Sequence, residues 1–489
     1  MERGLFVLGV LAALFLGAQA LSANATRAPT AQVTPYQACT AENTPAAAPP
    51  RSPPPFRLFR SDEDYSFLAD PSRRTDPFDP LRFIALDDSG DWRLTLGGEA
   101  RTRYEYFRHP GFGLRGLGHD DFVAQRLLTH ADLRAGNRVR AFVQLLSGLQ
   151  MGNESPPVPT QDNVLDVQQA FVDLMLVRVH DASLTLRGGR QEMGFGSYRL
   201  VTPRDATNAR LNFDGVRLTI KAASIKVDAF LTRPVQQQRG LFNDSSDQRQ
   251  VFWGVYSTTP IAKESRASVD VYYLGLDRAN SRYAAGTADE IRHSVGVRFW
   301  GTPVGWDYDV EAVFQFGSWG DTNISAWTVA SNAGYTFRNA AWKPRLGIKA
   351  NIASGDADPT DGTLGTFNAL FPRNNYFNDA NLFTPANFFD VHPSLQVSPI
   401  ETLTLTAAAD FFFRYSTNDA VYSPGRIGIP AEASDERFVG TALTLQADWT
   451  ITPNLHWTLT YTRFFRGPVV IDANGTNVDF LGTWLTFRF

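Results

Sequence analysis

Arginine supplies nearly all the positive charge of this chain. Of 46 basic residues only five are lysines: Lys221, Lys226, Lys263, Lys343 and Lys349. Arginine keeps its charge and binds carboxylates through a planar, two-pronged contact. Many of these arginines alternate with apolar neighbours at a spacing of two, which on a strand puts them on one face. By that parity Arg93, Arg101, Arg103, Arg126, Arg134, Arg140, Arg187, Arg217, Arg292, Arg298, Arg345, Lys349 and Arg414 point inward. Arg190 joins them if Gly188-Gly189 makes a β-bulge. Glu99, Glu105, Asp132, Asp228, Asp270, Asp309, Glu311, Asp410 and Asp448 share the same face. Unpaired guanidiniums on a low-dielectric wall would focus a positive field and select anions. Paired ones would hold the wall in shape. The two sets nearly match, so both outcomes stay open for any single arginine. The expected selective set is Arg101, Arg103, Arg126, Arg140, Arg187, Arg190, Arg217, Arg292 and Arg298, a modestly positive constriction.

Other chemistry is sparse. Asp356, Asp358 and Asp361 lie in a Gly-rich stretch and offer oxygen ligands of the kind calcium takes, although a solvated acidic loop has the same composition. The seven histidines are scattered without metal-like spacing. His130 and His456 fall on inward faces without a nucleophile and carboxylate arranged around them. The expectation is a non-enzyme without a cofactor.

The elements that must carry these residues read as strands. In the first, Leu94, Leu96, Ala100, Tyr104 and Tyr106 oppose Arg93, Thr95, Glu99, Arg101, Arg103 and Glu105. Leu346-Ile348-Ala350-Ile352 and Leu403-Leu405-Ala407-Ala409-Phe411 repeat the pattern. Alternation alone does not separate a soluble sandwich from a barrel. Short turns are expected near Gly136-Asn137, His180-Asp181, Ala222-Ala223, Lys263-Glu264, Thr302-Pro303, Ala340-Ala341, Pro399-Ile400 and Pro453-Asn454. Longer connections are expected at 108–120, 148–163, 196–210, 234–249, 277–289, 354–387, 416–436 and 467–477, with one short one near 317–322. Such alternation marks an all-β, transmembrane, up-and-down antiparallel barrel of about 18 strands, with 16 as the alternative. The connection 354–387, rich in Asn, Phe and Pro, can fold inward as a gate or lie on the surface. Tyr104, Tyr106, Trp306, Trp449 and Trp457 suit interfacial girdles or ordinary lipid-facing packing.

The ends decide between sandwich and barrel. Arg3, an apolar run from Leu5 to Leu16 and Ala18-Gln19-Ala20 make a secretory signal peptide over residues 1–20. Its apolar run is too short for a spanning helix, which needs about 20 residues. Residues 21–55 form a flexible Pro/Ala-rich leader, where Cys39 sits without an internal disulfide partner. Residues 56–90 read as a periplasmic-side segment and 91–489 as the barrel. Leu481, Leu485, Phe487 and Phe489 alternate with polar or small residues, the pattern of an outer-membrane assembly signal. A mean hydropathy of −0.22 suits lipid-facing and lumen-facing residues that average out. A formal net charge of −4 argues against nucleic acid as a partner.

Several stretches resemble a known family. LTLRGGRQEMGFG (184–196), RDATNARLNFDGVRL (204–218), VQQAFVDL (167–174), GEARTRYEYF (98–107), GTFNALFP (365–372), FFDVHPSL (388–395) and YTRFFRG (461–467) are similar to the alginate export family of outer-membrane barrels. The resemblance runs over residues 56–489. It implies an 18-stranded channel with an arginine-lined constriction that passes a polyuronate. Leu186-Arg187-Gly188-Gly189-Arg190-Gln191 matches the family strand. Gln168-Gln169 stands where the family carries Arg-Glu, so a constriction arginine is replaced by a neutral amide. The expected function is passive transport of an anionic polysaccharide or oligosaccharide across the outer membrane. A small-solute porin and a non-transporting scaffold are the alternatives. Expected partners are the bilayer, the transported sugar or solute and a periplasmic export component, with both termini periplasmic.

Overall fold

The computed structural model describes residues 56–262 and 266–489. The signal peptide 1–20, the leader 21–55 and the turn at Lys263-Glu264 lie outside the described residues. Eighteen long strands dominate: β1 Trp92–Arg108, β2 His119–Ala135, β3 Val139–Met151, β4 Asn163–Val179, β5 Ala182–Gln191 and β6 Phe213–Ala222. They continue as β7 Ile225–Gln236, β8 Gln250–Ala262, β9 Ala267–Tyr283, β10 Gly286–Gly301, β11 Trp306–Trp319 and β12 Thr322–Thr336. The last six are β13 Arg345–Ala353, β14 Phe388–Ile400, β15 Leu403–Arg414, β16 Phe438–Thr452, β17 Leu455–Arg466 and β18 Val478–Arg488. Each pairs antiparallel with its neighbour in sequence. β18 returns to β1 in register from Glu99↔Arg488 to Arg108↔Asp479, which closes the sheet into a barrel. Closure satisfies every strand edge, the condition for crossing lipid with strands.

Burial is inverted relative to a soluble protein. Leu445 is 60% exposed on the outer face, whereas Arg126 is 2% exposed on the inner one. Leu127, Val172, Leu231, Val271 and Phe314 share that exposed outer face, and Glu99, Arg101, Arg103 and Glu105 are buried inside. This is the two-residue period of the sequence cast onto a lipid-facing and a lumen-facing surface. Trp92, Trp306, Trp342 and Trp449 are exposed near the rim that carries the short turns, where amphipathic rings suit a membrane interface.

The connections alternate as expected, with one correction. Tight turns occupy one rim, and 109–118, 152–162, 192–212, 237–249, 354–387, 415–437 and 467–477 occupy the other. The long connection expected at 277–289 is instead a hairpin: β9 and β10 run on to Tyr283 and Gly286. Its tip is stiffened because Tyr283 donates to Glu290 at 2.8 Å and the Trp319 indole donates to Ser281 O at 3.1 Å. These polar partners sit on neighbouring strands, so periodicity along one strand does not reveal them.

Several of the described non-strand segments reach into the barrel. Residues 56–90 form short turns around a small core of Tyr65, Leu68 and Phe83. Arg134 and Arg140 donate to Glu63 O and Ser61 O at 2.7 and 2.6 Å, which pins this segment to the inner wall at the short-turn rim. The connection 354–387 folds inward. Phe371 packs on Phe213 and Phe252, with centroids 5.2 and 4.9 Å apart, while Phe383 packs on Phe412 at 4.5 Å. These wall residues lie on β6, β8 and β15, so the loop's aromatics span the interior. The connection 192–212 also turns inward and meets it, where Phe371 N donates to Leu200 O at 2.8 Å.

Candidate functional site

The densest charge network forms where β18, β1 and β2 meet the inserted segment 192–212. Strand parity brings Glu99, Arg101, Arg103 and Glu105 to one inner column of β1, and the register sets Arg126 of β2 opposite Arg101. Arg488 of β18 donates to Glu99 at 2.8 Å. Arg126 binds Glu99 as well and reaches Asp205 Oδ1 at 2.8 Å. Arg101 donates to the backbone oxygens of Asp205 and Thr207 at 2.7 and 2.9 Å, and Arg103 donates to Ala206 O and pairs with Glu105 at 2.6 Å. Three wall arginines therefore hold one inserted turn by its carbonyls.

Behind that turn, Arg210 pairs with Glu192 at 3.2 Å, and both are buried. Gln168 donates to Glu192 at 3.0 Å and to Arg210 O at 2.9 Å. Burial pushes the Glu192 carboxyl up to about 7, against the opposing pull of Arg210. The neutral amide of Gln168, which stands where the family carries an arginine, here bridges the two ends of the inserted segment. It reaches inward because the register skips it: Gln144 pairs with Gln169 and Leu145 with Val167.

The remaining candidates lie in other ion pairs, of which those of Arg187 and Arg140 share Asp173. Arg187 grips Asp173 through two bonds of 2.7 and 2.9 Å and stacks 3.7 Å over the Phe171 ring, which itself stacks on Phe142. Arg140 pairs with Asp132 at 2.7 Å, and Arg217 with Asp228 at 2.9 Å. Arg298 bridges Asp270 and Asp309 at 2.7 and 2.6 Å. Arg292 pairs with Glu290 and donates to Gln315 at 2.8 Å and, more loosely, to Thr366 O of the inserted loop at 3.3 Å. All nine expected arginines thus lie within 4 Å of a carboxylate.

Arg190 departs from its expected place. The β5–β6 register runs unbroken from Ala182↔Ala222 to Gln191↔Phe213, so Gly188-Gly189 inserts no extra residue. Gly189 takes φ +129° instead, with Ala170 O where a Cβ would stand. Parity then sets Arg190 with Val216 and Leu231 on the outer face, where it pairs with Asp214 through bonds of 2.8 and 3.1 Å.

The acidic residues of the inserted loop do not converge. Asp358 and Asp361 cap the backbone of Thr360 and Thr363, while Asp356 turns inward beside Asp419. Burial and the Asp419 carboxylate push Asp356 up to about 6. A different group does converge: donor atoms of Asp390, His392 and Asp410 all lie within 4.8 Å of one another, and all three residues are buried. The expectation of no metal-spaced histidine missed it. Asp390 and His392 sit two apart on β14, a visible signal, but Asp410 arrives only through pairing with β15. Sequence parity also omitted Arg60, Arg199 and Arg210, which belong to inserted segments, and Arg488, whose position on the inner face of β18 was readable. His130 stacks on Phe142 at 5.4 Å, and its Nδ1 has no hydrogen-bond partner among the described residues.

Comparison with known proteins agrees with this architecture. The family model described as alginate export matches residues 92–483. No curated protein matches the sequence. Solved outer-membrane porins share the fold. OccAB1 of Acinetobacter baumannii has a TM-score of 0.54 at 13% identity over 81% of this chain and 96% of its own. OccD3 (OpdP) of Pseudomonas aeruginosa has 0.53 at 14% over 84% and 93%. OccK2 (OpdF) of the same organism, solved in complex with glucuronate, has 0.52 at 12% over 83% and 98%.

Proposed function

Because the chain belongs to the alginate export family and forms an 18-stranded outer-membrane channel, we propose that it passes an anionic polysaccharide or oligosaccharide passively through its arginine-containing lumen. One observation carries the reading. The network at the inserted turn joins five guanidiniums (Arg101, Arg103, Arg126, Arg210 and Arg488) to four carboxylates (Glu99, Glu105, Asp205 and Glu192). Burial raises the Glu192 carboxyl to about 7, which reduces the negative charge there near neutrality. A net positive field inside a low-dielectric wall favours carboxylated sugars. The glucuronate held by one fold relative belongs to that chemical class.

In this reading the signal peptide sends the chain to the periplasm. The short-turn rim, with segment 56–90 and both barrel termini, faces the periplasm and any export partner there. Paired wall charges act as shape-holding struts, and the small excess at the inserted turn sets selectivity. A second reading, a porin for small solutes, draws support from the inserted segments that occupy the lumen.

Single-channel recording in planar bilayers separates the readings. Export of a polyanion predicts anion-selective current that oligouronate blocks. It also predicts that Arg101→Gln with Arg103→Gln moves the reversal potential towards cations. Weakly selective current that oligouronate leaves unblocked would move the assignment to the small-solute porin. No current, even after excision of the inserted loop, would point to a scaffold.

A further inference from the structure

We propose that Asp390, His392 and Asp410 form a binding site for a divalent transition-metal cation of zinc-like ligand preference on the inner wall of the barrel. The site stands apart from the arginine network and does not depend on the transport reading. Asp390 and His392 are two residues apart on β14 and therefore share a face. The outward residues between and beside them, Val391 and Phe411, are about 40% exposed, so the three donors face inward. All three side chains are buried, and one donor atom from each lies within 4.8 Å of the others.

Two details point to a cation. His392 Nδ1 already lies 3.0 Å from Asp410 Oδ2. The other oxygen of Asp410, Oδ1, is buried and accepts no N–H or hydroxyl hydrogen bond among the described residues, while the Asp390 carboxyl lies against the same side chain, itself 2% exposed. Such an oxygen on a buried carboxylate is costly unless something positive meets it. Lys349 lies beside His392 in register and contributes one positive charge against two carboxylates. Asn351 donates to both oxygens of Asp390, at 2.9 and 3.2 Å, and fixes its orientation as an outer-sphere partner would. One imidazole and two carboxylates suit zinc or manganese; calcium prefers oxygen alone.

The test uses the full chain in detergent, stripped with a chelator and titrated with Zn²⁺ by calorimetry. The expected result is one tightly bound equivalent, with affinity lowered at least about tenfold in both His392→Gln and Asp410→Asn and unchanged in His130→Gln. Cobalt(II) in the unmodified chain gives a second readout independent of how the variants fold: visible d–d bands without a sulfur charge-transfer band. No bound zinc, unchanged affinity in both site variants, equal loss in His130→Gln, or a sulfur band that assigns the ion to Cys39 would each overturn the site and leave a Lys349–Asp410–His392 polar network in its place.

Discussion

Glu192 shows how one residue couples charge to the position of an inserted segment. Its carboxyl is raised to about 7 in the folded chain from an ordinary 4.5, mainly by burial. Between those values the folded state holds a proton that the unfolded state has released, so stability falls as pH rises across that window. Hydrogen-exchange protection of 192–212 should therefore drop between about pH 5 and about pH 8 beyond the intrinsic trend, and Glu192→Gln should flatten that drop. A profile unchanged in the variant would remove Glu192 as the cause. Arg126 makes the opposite case. Arg126→Gln leaves Glu99 and Asp205 short of a buried partner and should cost about 3–5 kcal/mol in unfolding titrations. The strand arginines were legible in the sequence because alternation fixes which face a residue takes. Their partners were not: Asp205 and Glu192 come from an inserted loop, and no period encodes where a loop turns.

At the scale of elements, the outer faces of the strands are the most predictable part of the molecule. Val310 lies on the exposed face near the middle of β11. Val310→Arg should cost about 2–4 kcal/mol on folding into bilayers, the penalty for a cation near the membrane midplane; a cost below about 1 kcal/mol would place Val310 near an interface. The inserted loop 354–387 was left open between gate and surface by its composition. Its phenylalanines decide the matter, because β6, β8 and β15 present inward Phe213, Phe252 and Phe412 that strand parity alone marks only as lumen-facing. Excision of 357–386 should raise single-channel conductance, and conductance equal to the parent's would show that the loop does not limit the path. The hairpin at β9–β10 escaped the sequence reading for a related reason. Its polar tip, with Asp277, Arg278, Asn280 and Ser281, has loop-like composition, yet Glu290 and Trp319 on adjacent strands hold it as sheet.

The molecule as a whole is held shut at one seam. Arg60, from the segment before the barrel, donates to Gly98 O at 2.8 Å and to Phe489 O at 2.9 Å, and Phe78 packs on the rings of Phe487 and Phe489 at 5.6 Å. Arg60→Ala should lose roughly 1.5–3 kcal/mol, the worth of hydrogen bonds from a charged donor. Faster amide exchange should be confined to β1 and β18, and exchange spread evenly over the barrel would argue against a local clamp. This seam also has a kinetic meaning. Every other pairing among the eighteen long strands joins neighbours along the chain, whereas the Arg488–Glu99 bond spans 389 residues. Loop-closure entropy makes such a contact slow to form. Seventeen hairpins can assemble progressively, and the barrel becomes a closed ring only at the eighteenth pairing. Residues 58–63 touch the inner wall beside that seam, whereas Phe78 packs on Phe487, which the register sets opposite the exposed Ala100 on the outer face, so the segment straddles the place where the first and last strands meet and the clamp and the closure belong to one event.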